Sequence, residues 1–212
     1  MTGQTPPSVA NSKGHARDPV RLQRARTQLG QLLQRLSPLP SEVLDALSPL
    51  LVPRKFEAGS WLLTGGELAQ TAFFVAEGLV RELYISDQGI EHTRAFVPEG
   101  QLTGSLLDLI SAQPAVTWIQ ALEPTYTLAF SYRAYDALCD RHPALQRCAR
   151  RHAELLYVRK ARREHDMLAL SARERFERFH EDNPGLDVRI RRQHVASYLG
   201  ITPEHLSRLR RR

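Results

Sequence analysis

The chain predicts an α+β protein: helices first, then a run of short antiparallel strands, then helices to the end. Three observations predict it. Between residues 52 and about 130, glycines at 59, 65, 66, 78, 89, 100 and 104 punctuate short apolar runs, the pattern of a small antiparallel barrel or sandwich. On either side the apolar spacing changes to the three-and-four rhythm of helices. At the C-terminus, Arg192 to Arg212 reads RQHVASYLGITPEHLSRLRRR, two short helices joined by a tight turn.

Taken in order, residues 1–19 are rich in Pro, Ser and Gly, lack periodicity, and are expected to be a disordered tail. From Val20 to Leu51 the pattern is helical through Leu29, Leu32, Leu33 and Leu36, then Val43, Leu44 and Leu47. Pro38 and Pro40 separate two helices, and Ser41 before Glu42 resembles a helix start. The strands expected next are Ala72–Ala76, Leu79–Ile85, Ile90–Val97, Trp118–Leu122 and Tyr126–Phe130, with Ser86-Asp87-Gln88-Gly89 as a hairpin turn. Residues 131 to about 170 are helical, with Leu145, Cys148, Ala149, His152, Leu155 and Leu156 as a stripe that weakens at Arg159-Lys160-Ala161-Arg162-Arg163. That helix either pairs with a second copy or packs on its own domain. Ser171 caps a further helix carrying Phe176 and Phe179, which Asn183-Pro184-Gly185 breaks.

The terminal pair carries the most chemistry. Val195, Ala196 and Leu199 form the inner face of its first helix, and Ala196 is small enough to let a second helix cross closely. Gly200 supplies the positive φ of a sharp helix exit, Thr202 the N-cap and Pro203 the first helical position. Leu206 and Leu209 point inward, so Glu204, Ser207, Arg208 and Arg211 share the outer face. A capped helix with a polar, arginine-bearing outer face suits the DNA major groove. An amphipathic hairpin with a solvated basic face has the same periodicity, but it does not require the glycine, the cap and the small residue to coincide.

Charge is distributed accordingly. Residues 28–140 hold six basic and 13 acidic side chains, whereas residues 141–212 hold 18 basic and nine acidic. A basic C-terminal third on an acidic body is the electrostatic footprint of a nucleic-acid binder.

The segment from Arg192 through Arg210 resembles the helix-turn-helix of the Crp/Fnr superfamily of bacterial transcription regulators. Glu204, Ser207 and Arg208 form an E-x-x-S-R pattern similar to the base-reading set of its Fnr-type branch. The stretch FVAEGLVRELYISDQGIEHTRAFVPEGQLTGSLLDL is similar to the superfamily's cyclic-nucleotide-binding-like β-roll. The resemblance implies a β-roll sensor domain with N-terminal helices over 20–134, a long connecting and dimerisation helix over 135–170, and a helix-turn-helix domain over 171–212 with a short or missing wing. It implies that Glu204 accepts from a cytosine amino group and Arg208 donates to guanine, that Arg192, Gln193 and Thr202 meet phosphates, and that His205, Ser207 and Arg211 complete the contact. The implied partners are a palindromic double-stranded DNA site, a second copy of the chain and RNA polymerase.

The effector pocket departs from the family. Where cAMP-binding relatives carry Gly-Glu-Leu for the ribose, this chain reads Gly104-Ser105-Leu106, and the arginine for the phosphate falls within Gln113-Pro114-Ala115-Val116-Thr117. No basic residue stands between Gly100 and Arg133. A phosphodiester needs a cation or a nest of N–H groups. The pocket around Gly104, Ser105, Leu106 and Thr117 is therefore expected to take an unknown small-molecule effector other than cAMP, or nothing.

Other chemistry is weakly signalled. Cys139 and Cys148 make no disulfide framework and are too few for a four-cysteine iron–sulfur cluster, unlike the oxygen-sensing Fnr members. The eight histidines lack metal-site spacing, nothing positive marks His92 or His142 as haem ligands, and no nucleophile–base set stands out. No cofactor, metal or catalytic residue is expected. Neither a membrane-length apolar stretch nor a secretory h-region is present, so a cytoplasmic protein is expected. The rival readings are a regulatory or interaction module that does not touch DNA, and an enzyme.

Overall fold

The computed structural model describes residues 18–211; most of the predicted N-terminal tail, and Arg212, lie outside them. The tail's expected boundary moves: Pro19 already belongs to a helix. Asp18 caps α1 (Pro19–Leu36) by accepting from the Arg21 N–H, with Pro19 in the first turn. Two prolines later comes α2 (Ser41–Leu47), which continues as a 3-10 turn at Ser48–Leu50. The helix starts at Ser41, as the sequence suggests, and Pro40 precedes it without a side-chain hydrogen bond.

Eight strands follow: β1 (Val52–Phe56), β2 (Trp61–Leu63), β3 (Thr71–Glu77), β4 (Leu79–Ile85), β5 (Glu91–Pro98), β6 (Gln101–Thr103), β7 (Trp118–Ala121) and β8 (Thr125–Ser131). They form two antiparallel four-stranded sheets, ordered β1-β8-β3-β6 and β2-β7-β4-β5. The β3–β4 connection is one residue, Gly78, at φ 97°; a Cβ there would stand 2.8 Å from the Pro124 carbonyl oxygen. No side chain fits that crossing. Pattern reading misses β1, β2 and β6. β1 reads Val-Pro-Arg-Lys-Phe, with little alternation, and the other two are only three residues long.

α3 (Leu106–Ser111) interrupts the strands between β6 and β7. After the roll come α4 (Tyr132–Arg141) and α5 (Pro143–Ala169). The expected continuous helix over 135–170 is thus two. His142 is extended and Pro143 opens α5, because the residue before proline is pushed out of the helical region. α6 (Ala172–Asp182) starts on a capping box between Ser171 and Glu174. A 3-10 turn at Leu186–Val188 leads to α7 (Arg192–Leu199) and α8 (Pro203–Arg210). Among the described residues no strand follows α8.

Three cores hold these parts. One lies between the β1-β8-β3-β6 sheet and helices α1, α2, α4 and α5, with Leu29, Leu33, Phe74, Leu128, Leu145 and Cys148 all nearly inaccessible. Burial pushes both cysteine thiols up to about 11, so they pack as small apolar groups. A second fills the roll with Val75, Val80, Val97 and Ile119. The third joins the roll to the C-terminal helices. Leu79 of β4, Phe96 of β5 and Leu122 just past β7 pack with Phe179, Leu186, Ile190, Val195, Ala196, Leu199 and Leu206.

Candidate nucleic-acid interface and sensor cassette

The α7–α8 unit forms as its local sequence dictates. Gly200 takes φ 66°, its N–H bonds back to Ser197, and that of Ile201 to Ala196. The Thr202 hydroxyl accepts from the His205 N–H and caps α8. Val195, Ala196, Leu199 and Leu206 are at most 1 % exposed, so the two helices share one apolar seam. Glu204, Arg208 and Arg211 are exposed and Ser207 half-buried on the outer face of α8. Hydrogen bonds from its own backbone N–H and from Thr202 hold the Glu204 carboxyl below the usual range, so it is a ready acceptor. Arg192, Gln193 and Thr202 are exposed, and His205 is half-buried. Arg192, Arg208 and Arg211 form no ion pair among the described residues, so their charge is available to an anion. Arg210 differs: its guanidinium reaches Asp187 at 3.4 Å.

Sequence reasoning missed what holds this unit in place. α7 is pressed on the outer face of β4 and β5. Arg81, 2 % exposed on β4, donates to His194 Nδ1 at 2.7 Å, to Gln120 Oε1 at 2.8 Å and to Glu91 Oε2 at 2.5 Å. An arginine only donates, so Nδ1 of His194 is the acceptor and its ring is neutral. Burial, then the charge of Arg81, lowers the His194 pKa to about 4. The Ser197 hydroxyl donates to the Glu91 carbonyl at 2.8 Å and accepts from the Thr93 N–H at 2.9 Å. Arg189 forks between Glu99 at 2.9 Å and Glu123 at 2.5 Å. Arg163 of α5 lies 3.9 Å over the Tyr198 ring and donates to the Tyr198 and Thr93 carbonyls. The available signal was Arg81 itself, a charge inside the apolar strand LVRELYI.

The sensor cassette runs from β6 through α3 to β7. Ser105 and Thr117 are inside the roll, at 1 % and 0 % exposure, with their hydroxyls 2.8 Å apart; Gly104 and Leu106 flank them half-buried. Asp108, absent from the expected pocket, is also buried there. Nearby, Glu82 accepts from the Thr103 hydroxyl at 2.9 Å and pairs with Arg94 at 3.5 Å. Ala115 occupies the region where an arginine would be needed and is itself buried. Among the described residues no group of three or more His, Cys, Asp or Glu could hold a metal ion, and no helix is long and apolar enough to cross a membrane.

This geometry, a β-roll with a capped two-helix unit beyond a long helix, is matched among known proteins. Residues 53–142 match the cyclic nucleotide-binding domain family. The fumarate and nitrate reduction regulatory protein of Vibrio cholerae is 26 % identical over 182 residues, covering 78 % of this chain and 70 % of its own. The cAMP-activated global transcriptional regulator CRP of Pasteurella multocida is 23 % identical over 167 residues, covering 73 % and 79 %. The solved FixK2 of Bradyrhizobium japonicum shares the fold, with a TM-score of 0.67 at 17 % identity over 76 % of this chain and 83 % of its own. The chain thus carries a cyclic nucleotide-binding domain and is homologous to transcription regulators rather than to enzymes. Its curated relatives are transcription regulators of the Fnr and CRP kind.

Proposed function

We propose that the chain acts in the cytoplasm as a homodimer whose two copies of α8 read successive major grooves of a palindromic site. The observation that carries this reading is the open outer face of a capped α8 in which Glu204, Ser207 and Arg208 stand together. A carboxylate there accepts from a cytosine amino group, and an arginine spans guanine O6 and N7. Arg192, Gln193, Thr202, His205 and Arg211 surround that face and serve the phosphates, which supply affinity without sequence information.

Residues 20–134 are the sensor part in this reading, 135–170 the connector and 171–212 the reading part. The second copy is called for by α5. Leu155 and Val158, three residues apart and so on one face of it, are 47 % and 46 % exposed, an apolar strip that a second copy would cover. To meet successive major grooves, the two α8 helices must then lie about 34 Å apart. RNA polymerase is the protein through which transcription then responds. The effector of the roll is not cAMP, since Ser105 stands where an acid would hold the ribose and residues 113–117 carry no arginine for the phosphate.

The test is selection from a random duplex pool by the purified chain, followed by titration at several salt concentrations. Enrichment of a palindrome, with log K falling linearly in log salt, is expected. Selection that enriches no sequence would refute base reading and leave a regulatory module that does not read DNA. Sedimentation should give a dimer at micromolar concentration; monomer both alone and with DNA would refute the α5 pairing.

A further inference from the structure

The cassette is not simply short of an arginine; it already holds an anion. Asp108 lies in the first turn of α3, where an aspartate ordinarily faces water. Here its side chain turns inward and the residue is 2 % exposed. Its Oδ1 accepts from the Val116 N–H at 3.3 Å and its Oδ2 from the Thr117 N–H at 3.2 Å. The Ser105 and Thr117 hydroxyls stand beside it, 2.8 Å from each other. Burial by itself would raise the Asp108 pKa, but hydrogen bonds from Ser105, Val116 and Thr117 outweigh it and hold the group ionised, below the usual range.

Two consecutive backbone N–H groups with two hydroxyls beside them form a cradle for an oxyanion. The backbone that bears it is fixed. Gly66 donates to the Ala115 carbonyl and Ala115 to the Glu67 carbonyl, both at 2.8 Å, and Leu68 bridges to Pro114. A phosphate arriving there would meet a carboxylate already using both N–H groups. To enter, it must displace the Asp108 carboxylate from both N–H groups and the hydroxyls, and no Lys or Arg between Gly100 and Arg133 offsets the repulsion between the two anions. The two negative charges thus compete for one set of donors.

We propose that Asp108 is an internal ligand of the cassette, occupying its anion cradle and thereby excluding nucleotides and other phosphate-bearing effectors from the roll. The inference rests on reading the roll as the sensor part. It goes beyond the missing arginine, because it makes Asp108 the residue that decides ligand class. Supplying an arginine at position 115 would then not create a phosphate site, whereas removing Asp108 would.

The test uses the full chain with inorganic phosphate, and separately cAMP, followed by thermal shift and calorimetry against chloride at matched ionic strength. The wild type should melt alike in phosphate and chloride. Asp108→Ala should be stabilised saturably by phosphate, with an apparent affinity at least tenfold above any shown by the wild type. Asp108→Asn keeps the shape and one acceptor, and should gain in the same direction by less; it serves if the Ala variant does not fold. Ala115→Arg with Asp108 in place should gain nothing. A folded Asp108 variant with no gain over the wild type, or phosphate binding by Ala115→Arg alone, overturns the proposal and leaves the exclusion of cAMP standing. Saturable phosphate or cAMP binding by the wild type overturns both.

Discussion

α7 and α8 are each eight residues long and stand side by side, yet they live in different surroundings. Half of α7 is buried: His194, Val195, Ala196 and Leu199 face either α8 or the roll, and even Ser197 spends its hydroxyl on β5. α8 buries only Leu206 and leaves its outer face to solvent. The difference separates two jobs that a two-helix unit often shares. α7 fixes how the reading unit sits on the sensor sheet, and α8 supplies the chemistry presented to DNA. Substitutions on the buried face of α7 and its sheet partners should therefore alter stability and orientation, whereas those on the α8 face should alter binding alone.

The largest effect expected on this contrast comes from Arg81→Ala. It strips His194, Gln120 and Glu91 of one shared donor inside the joint, and removing one partner of a buried ionic network costs about 3 kcal/mol. Urea unfolding of the full chain reads it. A loss below about 0.5 kcal/mol, the usual range of surface changes, would mean that the apolar seam alone holds the joint.

Arg208→Ala should show the opposite profile. Stability stays within about 0.5 kcal/mol, while affinity for the selected palindrome falls by about 1–3 kcal/mol and preference relaxes at one base position. Equal losses on cognate and scrambled duplexes would make Arg208 a phosphate contact.

The joint should also respond to pH. The folded pKa of His194 is lowered from 6.5 to about 4, so between those values the unfolded chain takes up a proton that the folded one refuses. Its contribution is whole above pH 6.5 and is lost as pH falls toward 4, amounting to about 1–2 kcal/mol after allowing for solvent near Glu91 and Arg191. The measurement is the difference between wild type and His194→Gln across that window, which cancels the carboxylates that also titrate there. Parallel stability curves would show that His194 is not the responsive group.

Arg189→Ala is the smallest of these changes. Its fork to Glu99 and Glu123 is strong in geometry, but Glu99 is half exposed, and about 1 kcal/mol is expected. High salt should erase most of the difference between this variant and the wild type, which it will not do for Arg81→Ala.

Much of α7–α8 is legible in the chain because its signals are local. The left-handed turn at Gly200, the Thr202 cap and the Pro203 start each act within four residues. The hairpin at Ser86–Gly89 is legible for the same reason, with the Gly89 N–H returning to Ser86 at 2.8 Å. The break at His142 inside the helical stretch 135–170 is not legible, because apolar spacing continues through His142–Pro143 and periodicity is blind to one extended residue. β1, β2 and β6 escape notice because their identity as strands comes from the neighbours that pair with them.

The reading helix, its capped geometry and the chemistry of its outer face can be read from the chain alone, since helix periodicity and caps are properties of neighbours in the chain. So can the lack of a cation in the cassette, a matter of composition between Gly100 and Arg133. That Arg81 meets His194 across 113 positions, that α7 is fastened to the sensor sheet, and that Asp108 turns inward onto Val116 and Thr117 emerges only when the chain folds. Those contacts join residues whose separate surroundings look ordinary. A buried charge takes its meaning from the partners that desolvation forces upon it, and only the folded chain brings those partners together.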